Sequence, residues 1–195
     1  LTIPDTTKVW PVVVLVSGSG PQDRNEELLK HQPFLIIADY FTRNGIAVLR
    51  YDDRGVGKSE GKFNEATTAD LSSDAGSAVS FLKTLPYIDK KAIGMVGHSE
   101  GGVIVLMQAS QNKSLRFVIS MAGVSIPCLQ LLVMQNDKIM EGYGAEEDIR
   151  DFFWNFNTGL YNLVLTEKNN DTLRSKAMKL FDESAATLSD EQKKE

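Results

Sequence analysis

Apolar residues in the first 125 positions follow two alternating patterns along the chain. Short runs of β-branched and leucine side chains indicate strands that are buried on both faces of a sheet. Between these runs, apolar side chains recur at helical spacing, which predicts helices with one buried face. The predicted strands cover residues 12–16, 46–51, 92–96 and 117–121, and the predicted helices include residues 34–44, 71–85 and 103–107.

Strands that alternate with helices predict right-handed crossover connections, and therefore a largely parallel sheet of the α/β class. In such sheets, functional residues collect at the carboxyl ends of the strands. Three loops at these strand ends carry unusual residues, namely 17–24, 52–59 and 97–101. We therefore expect the chemistry of the chain to be located at this edge of the sheet.

A predicted strand and a predicted helix are joined by the segment Gly97-His98-Ser99-Glu100-Gly101. In this context the spacing Gly-x-Ser-x-Gly is typical of a nucleophilic serine on a turn so tight that its backbone is strained. The helix that begins there offers free N–H groups and a positive dipole end to an anionic intermediate. The same pattern arises by chance in loops of other proteins, but its flanking strand and helix favour the nucleophile here.

Residues 126–195 follow a different pattern, which predicts three amphipathic helices and no further strand. The apolar positions that define these helices are Leu129, Leu132, Val133 and Met140, then Ile149, Phe152, Phe153, Phe156, Leu160 and Leu163, then Leu173, Ala177, Leu180 and Phe181. The four residues 189–192 have the sequence of a capping box, which predicts the start of another helix. This segment is either a lid over a site or a helical subdomain packed for stability, and both roles are compatible.

The composition is that of a soluble globular protein, with 42% hydrophobic and 24% charged residues in a chain of 195. Cys128 is the only cysteine, which excludes an internal disulfide and a metal site built on cysteines. No apolar run reaches membrane-spanning length. The formal net charge of -5 arises from residues 126–195, and this sign disfavours nucleic acid as a partner. The oligomeric state and the compartment, whether cytoplasmic or periplasmic and secreted, stay open.

Three segments are informative together: VSGSGPQDR at 16–24, RYDDRGVGKS at 50–59 and GHSEGG at 97–102. They resemble the α/β-hydrolase superfamily and, within it, a group of bacterial esterases with a helical lid. The resemblance implies a largely parallel sheet flanked by helices, with residues 1–125 as the N-terminal part of the core and residues 126–195 as an all-helical lid. It also implies hydrolysis of a small-molecule carboxylic ester through an acyl-enzyme intermediate, without a metal or an organic cofactor.

By this resemblance Ser99 is the nucleophile, and the backbone N–H of Glu100 is one donor of an oxyanion hole. The second donor is expected in the segment Gly18-Ser19-Gly20, and Ser19 is the favoured position. A phosphate-cradling loop is a weaker interpretation of these glycines, because Asp23 occupies the place where a third glycine would be needed.

Asp52 and Asp53 are adjacent carboxylates, a pattern that metal binding or acid-base chemistry can use. Arg54 follows at once and no histidine is near in sequence, so salt bridging and turn formation are the favoured roles. For Asp23 and Arg24, pairing and contact with substrate both stay open.

A serine hydrolase also needs a histidine base and an acid that orients it, and in this superfamily both follow the serine in the chain. The only histidines, His31 and His98, precede Ser99, and His98 is a poor base for its own neighbour. We therefore expect the chain to be a fragment that lacks the C-terminal acid and histidine and is catalytically incomplete alone. The first residue is Leu1 rather than methionine, which leaves the presence of a signal peptide undecided.

Two alternatives to ester hydrolysis stay open. A serine peptidase or an acyltransferase would use the same fold and the same nucleophile. A binding protein that kept the fold but lost the triad is supported only by the absent histidine.

Overall fold

The computed structural model describes residues 1–186, 188 and 189 of the chain. The chain divides into two compact units, Leu1–Val124, here named the core unit, and Ser125–Glu195, here named the helical unit. The division falls beside the change in sequence pattern at residue 125. Whether the helical unit acts as a lid stays a prediction, and the helix start predicted at 189–192 lies almost entirely outside the described residues.

The core unit is a parallel sheet with helices between its strands. Its elements are β1 (Trp10–Val16), α1 (Pro33–Arg43), β2 (Ala47–Leu49), α2 (Thr68–Leu82), β3 (Ile88–His98), α3 (Glu100–Gln111) and β4 (Leu115–Met121). The strands lie in the order β2-β1-β3-β4, and every pairing is parallel. In the register of the sheet, Val14 of β1 lies opposite Leu49 on one side and Met95 on the other. The α/β sheet predicted from the apolar runs is therefore confirmed.

The central strand β1 is buried on both faces, which explains its unbroken apolar run. Val14 packs on one face in a cluster that includes Val79 of α2 and Ile104 of α3. Leu15 points to the other face and packs in a cluster with Phe34 of α1. Each of these side chains is at most 2% exposed. Burial of one such side chain contributes about 1.5–3 kcal/mol to folding, so both helical layers are held firmly against the sheet.

Strand β2 is shorter than predicted and ends at Leu49 rather than at residue 51. The chain leaves the sheet there because the next residues bond to the loop that follows β1. The guanidinium of Arg50 donates to the side chain of Asn25, and the N–H of Asp53 donates to the carbonyl oxygen of Gln22 at 3.0 Å. These contacts join the loops after β1 and β2 at the carboxyl edge of the sheet.

Helix α2 begins at Thr68, three residues before the predicted start at residue 71. Thr67 accepts a hydrogen bond from the N–H of Asp70 at 3.4 Å, and the Asp70 carboxylate accepts one from the N–H of Thr67 at 2.8 Å. This reciprocal capping box satisfies two backbone donors that would otherwise lack partners. The apolar pattern alone could not locate this start, because the capping residues are polar.

The described residues of the helical unit form three helices at the places where the sequence predicts them. These are α4 (Cys128–Gly142), α5 (Glu147–Thr166) and α6 (Asn170–Ala185). Helices α5 and α6 are joined by an aromatic cluster in which the rings of Phe156 and Phe181 meet edge to face at 5.4 Å. Within the described residues, none of the helices is both long enough and apolar enough to cross a membrane.

Candidate active site

Ser99 occupies a strained turn between β3 and α3. Its φ of 52° and ψ of -117° lie in a region that residues with a side chain rarely adopt, and such strain costs of order 1–3 kcal/mol. Two hydrogen bonds fix the turn: the N–H of Ser99 donates to the carbonyl oxygen of Met121, and the N–H of Gly102 donates to that of Ser99, both at 2.9 Å. The surrounding structure therefore holds the predicted nucleophile in the geometry that its motif requires.

Two glycines of the motif are required because backbone segments approach each other closely here. A β-carbon on Gly97 would overlap the carbonyl oxygen of Gly101. A β-carbon on Gly101 would overlap the carbonyl oxygens of Val16 and Ser17 at the end of β1. The spacing Gly-x-Ser-x-Gly thus allows the first turn of α3 to pack directly against the strand that carries the glycine-rich loop.

The loop after β1 lies beside the serine. A β-carbon on Gly18 would be 3.1 Å from the β-carbon of Ser99, so the two segments are in contact at this point. The N–H of Gly18 donates to Oε1 of Glu26 at 2.7 Å and is therefore not available to an oxyanion. The N–H of Ser19 has no acceptor among the described residues. Of the three donors considered from the sequence, Ser19 therefore fits better than Gly18.

The N–H of Glu100 is the first in α3, and the first four N–H groups of a helix have no partner within it. The carboxylate of Glu100 accepts a hydrogen bond from the hydroxyl of Thr68 at 2.6 Å, which ties the side chain to the start of α2. The N–H of Glu100 therefore lies beside Ser99 and has no acceptor among the described residues. Its role as an oxyanion donor stays a prediction.

A buried carboxylate that the sequence analysis did not identify lies next to these donors. Glu26 is 8% exposed and has a φ of 52°. Its Oε1 accepts the hydrogen bond from Gly18 and also contacts Nδ1 of His98 at 2.8 Å. The only signal in the sequence was the position of Glu26 in the loop after β1. Its partner His98 is 72 residues away, so no local pattern indicates the pair.

Asp53 links the two loops at the sheet edge through its carboxylate. Oδ1 accepts a hydrogen bond from the hydroxyl of Ser17 at 3.1 Å, and Oδ2 accepts one from the N–H of Gln22 at 3.0 Å. Burial raises the pKa of Asp53 above its ordinary value. The contacts shape the loop on both sides of Ser19, which agrees with the structural role favoured from the sequence.

Asp52 forms a bidentate ion pair with Arg24. Nε and Nη2 of Arg24 lie 2.9 and 2.6 Å from the two carboxylate oxygens, and the N–H of Arg24 donates to Oδ1 at 2.9 Å. These bonds lower the pKa of Asp52 to about 2. Arg54 pairs with Asp74 in the same way, at 2.7 Å. The prediction of salt bridges is therefore confirmed for Asp52 and Arg54, whereas the carboxylate of Asp53 accepts from Ser17 and Gln22 instead. Arg24 pairs with Asp52 rather than with Asp23.

The residues that the structure describes contain no group of three or more His, Cys, Asp or Glu side chains placed to hold a metal ion. Neither histidine hydrogen-bonds to Ser99. His31 is exposed in the loop before α1, where its backbone pairs with that of Leu28. His98 is directed at Glu26. The predicted nucleophile and donors are thus brought together without a base beside them.

Residues 1–136 match the family model described as X-Pro dipeptidyl-peptidase (S15 family). The chain belongs to this family. One curated relative is the thiohydrolase apmlB of Arthrinium phaeospermum, 34% identical over 101 residues, which are 51% of this chain and 32% of the relative. Another is the esterase EstD of Thermotoga maritima, 32% identical over 114 residues, which are 58% of this chain and 27% of the relative. The S15-family chain spans less than a third of the length of these relatives.

A solved structure similar to the S15-family chain is that of the α/β hydrolase GrgF from Penicillium sp. sh18. The TM-score is 0.54 at 22% sequence identity, over 73% of this chain and 50% of that chain. This likeness shows the fold alone. The S15-family chain therefore has the α/β-hydrolase fold that the sequence motifs predicted.

Replacing Asp52 with asparagine should lower the free energy of unfolding of the S15-family chain by about 2 kcal/mol at pH 7, because a charge-assisted pair is lost. The folded-state pKa of Asp52 is about 2, below the roughly 3.9 expected when unfolded. Its charge therefore stabilises the fold above about pH 4, and this contribution is lost as the pH falls through 2. Urea unfolding followed by circular dichroism at several pH values should show the difference shrinking towards pH 2.

Asp39→Asn is the matched control for this experiment. Asp39 pairs with Arg43 at 2.8 Å on the exposed surface of α1, where solvent and salt screen an ion pair. We expect little change at any pH. A deficit for Asp52→Asn that stays constant from pH 7 to pH 2 would contradict the role of the charge.

Proposed function

We propose that the chain carries the nucleophile and oxyanion hole of a serine hydrolase that cleaves carboxylic esters through an acyl-enzyme. The observation that supports this most directly is the strained turn of Ser99 in contact with the loop that carries Ser19. A half-buried hydroxyl on such a turn, beside N–H groups that have no acceptor among the described residues, is suited to acyl transfer. The esterase EstD among the relatives points to the same class of reaction.

In this mechanism Oγ of Ser99 attacks the ester carbonyl carbon while a general base takes its proton. The carbonyl oxygen becomes an oxyanion and accepts hydrogen bonds from the N–H groups of Glu100 and Ser19. A single donor of this kind is worth about 10²–10³-fold in kcat. The tetrahedral intermediate collapses as the alcohol leaves with a proton from the base, and water then releases the acid from Ser99 by the same steps.

Neither histidine of the described residues hydrogen-bonds to Ser99, so the general base has to come from elsewhere. His98 is directed at Glu26, and His31 is exposed in another loop. We propose that a histidine and an acid beyond the 195 residues complete the triad. Without a base nearby, the hydroxyl of Ser99 would be a weak nucleophile when residues 1–195 are prepared alone.

The helical unit contains an apolar groove of its own. Its volume is about 300 Å³, and its apolar walls come from Leu129, Val133, Trp154 and Tyr161. Ligand sites in proteins are usually apolar clefts of this size with a few polar groups. We propose that the helical unit is a lid, as the sequence predicted.

Labelling with a fluorophosphonate, which reacts with activated serines, tests the proposal. In the complete encoded protein, Ser99 should be labelled rapidly and stoichiometrically, as measured by mass spectrometry of the intact protein and its peptides. The chain of residues 1–195 should be labelled at least about 10²-fold more slowly, because activation by a general base contributes about 10²–10⁴-fold. Rapid labelling of residues 1–195 would place a base within the chain, and labelling of another serine would refute the assignment of Ser99.

A serine peptidase is the second candidate, because the matching family is described by X-Pro dipeptidyl-peptidases. Esters and amides share the acyl-enzyme route but differ in the leaving group. Parallel assays of p-nitrophenyl butyrate and alanyl-prolyl-p-nitroanilide on the complete protein separate the two. We expect turnover of the ester and little of the anilide, and the opposite preference would favour the peptidase.

A further inference from the structure

We propose that Glu26 is a positioning residue that holds the oxyanion-hole loop against the serine turn. The inference rests on the proposed function, since it assigns the N–H of Ser19 to the oxyanion. It adds a residue that neither the motif nor the reaction scheme contains. The role follows from the two segments that one carboxylate oxygen joins.

Oε1 of Glu26 contacts both walls of the candidate oxyanion hole. It accepts a hydrogen bond from the N–H of Gly18 at 2.7 Å, on the loop after β1. It also lies 2.8 Å from Nδ1 of His98, the residue before Ser99. Because Gly18 and Ser99 touch, this oxygen closes a short ring of contacts around the place where an oxyanion would be bound.

A rigid turn directs the Glu26 side chain to this position. The carboxylate of Asp23 accepts hydrogen bonds from the N–H groups of Asn25 at 3.1 Å and Glu27 at 3.0 Å. The N–H of Glu26 itself donates to the carbonyl oxygen of Asp23 at 3.0 Å. The turn places Glu26 in the left-handed region, which residues other than glycine, asparagine and aspartate seldom adopt. A strained backbone and a buried carboxylate at one position indicate that its side chain is needed there.

The contact acts on the peptide group that joins Gly18 to Ser19. On one side of this group, Glu26 fixes the N–H of Gly18. On the other side, Nε2 of Gln22 donates to the carbonyl oxygen of Ser19 at 3.1 Å. Gly18 has no side chain to restrict its dihedral angles. Without Glu26, the peptide group could therefore rotate and turn the N–H of Ser19 away from the substrate.

Reach and charge make different demands on Glu26, and two variants separate them. Glu26→Gln keeps the length of the side chain and an oxygen that can accept from Gly18, but it loses the charge. Glu26→Asp keeps the charge but is one methylene shorter, and aspartate tolerates the left-handed backbone. A residue that positions the loop by contact should tolerate glutamine better than aspartate. A residue that acts by its charge should show the opposite order.

The test measures kcat and KM for p-nitrophenyl butyrate in the complete encoded protein. We expect Glu26→Asp to lower kcat by about 10–100-fold with KM within about threefold, because the misplaced donor acts mainly in the transition state. Glu26→Gln should retain kcat within about fivefold, since its oxygen still reaches the N–H of Gly18. Glu27→Asp is the matched control. The side chain of Glu27 is exposed, and its carboxylate accepts a hydrogen bond from Nε2 of Gln32 at 2.7 Å. This variant should have the kcat and KM of the parent protein.

A second measurement reports on the contact without any turnover. The amide proton of Gly18 can be assigned by triple-resonance NMR, and its resonance should shift upfield in Glu26→Asp but little in Glu27→Asp. An unmoved Gly18 resonance, or a lower kcat for glutamine than for aspartate, would overturn the positioning role. A parent protein that cleaves no ester but shows the Gly18 shift would refute the proposed function while supporting the loop contact of Glu26.

Discussion

Ser99→Ala should lower kcat for p-nitrophenyl butyrate by about 10³-fold or more in the complete encoded protein. In the proposed mechanism, the substitution removes the atom that would form the acyl-enzyme but leaves the N–H groups of Glu100 and Ser19 in place. The N–H of residue 99 still donates to the carbonyl oxygen of Met121 at 2.9 Å, so the turn should persist. KM should change little, because the hydroxyl makes its main contribution in the transition state.

Ser80→Ala is the control for this substitution. Its hydroxyl is exposed on α2 and donates to the carbonyl oxygen of Gly76 at 3.1 Å, away from the sheet edge. We expect parental kinetics. Steady-state rates and fluorophosphonate labelling measure the loss of the nucleophile. Circular dichroism distinguishes this loss from misfolding, because the spectrum of Ser99→Ala should match that of the parent protein. Near-parental turnover by Ser99→Ala would show that another residue is the nucleophile.

Gly101→Ala should destabilise the core unit by about 3 kcal/mol or more, at the upper end of the range for overpacked interiors. The added β-carbon would overlap the carbonyl oxygens of Val16 and Ser17, which are backbone atoms at the end of the central strand. A flexible side chain could move aside, whereas β1 is hydrogen-bonded to β2 and β3 on either side. Urea unfolding followed by circular dichroism should show a lower midpoint or no cooperative transition.

Gly142→Ala provides the corresponding control. Gly142 is the last residue of α4, and a β-carbon there would meet nothing within 4 Å. Because alanine favours the helix more than glycine does, the substitution should be neutral or stabilise α4 by up to about 1 kcal/mol. A parental midpoint for Gly101→Ala would show that β1 and α3 can separate without loss of stability, contrary to the close packing described here.

The sheet could be predicted from the sequence because its central strands are buried on both faces. Side chains of β1 such as Val14 and Leu15 meet apolar neighbours on both faces of the sheet, so a continuous apolar run is sufficient to predict the strand. The ends of elements depend on polar contacts instead. The early start of α2 depends on the capping box of Thr67 and Asp70, and the early end of β2 depends on bonds between loops.

The candidate site could be predicted only in part for the same reason. Ser99 and Glu100 belong to one local motif whose spacing reflects steric requirements. A salt bridge was expected for Asp52 because Arg54 is near it in sequence, but the partner of Asp52 is Arg24 and that of Arg54 is Asp74. Glu26, in the irregular loop after β1, contacts His98, the last residue of β3, which is 72 residues away in the chain. Periodicity carries no information about such a pair, because nothing in either local sequence specifies the other.

The strained backbone of Ser99 also affects how this position can change in evolution. Glycine adopts a φ of 52° without steric strain, so Ser99→Gly would relieve strain of order 1–3 kcal/mol. The extra conformational entropy that glycine loses on folding, about 0.5–1 kcal/mol, offsets only part of this gain, so the fold should become more stable. The same substitution would remove the hydroxyl on which the proposed chemistry depends. Selection for stability and selection for catalysis therefore act in opposite directions on one residue. A lineage that no longer needed the reaction would be expected to lose its serine early, while the fold around it gained stability.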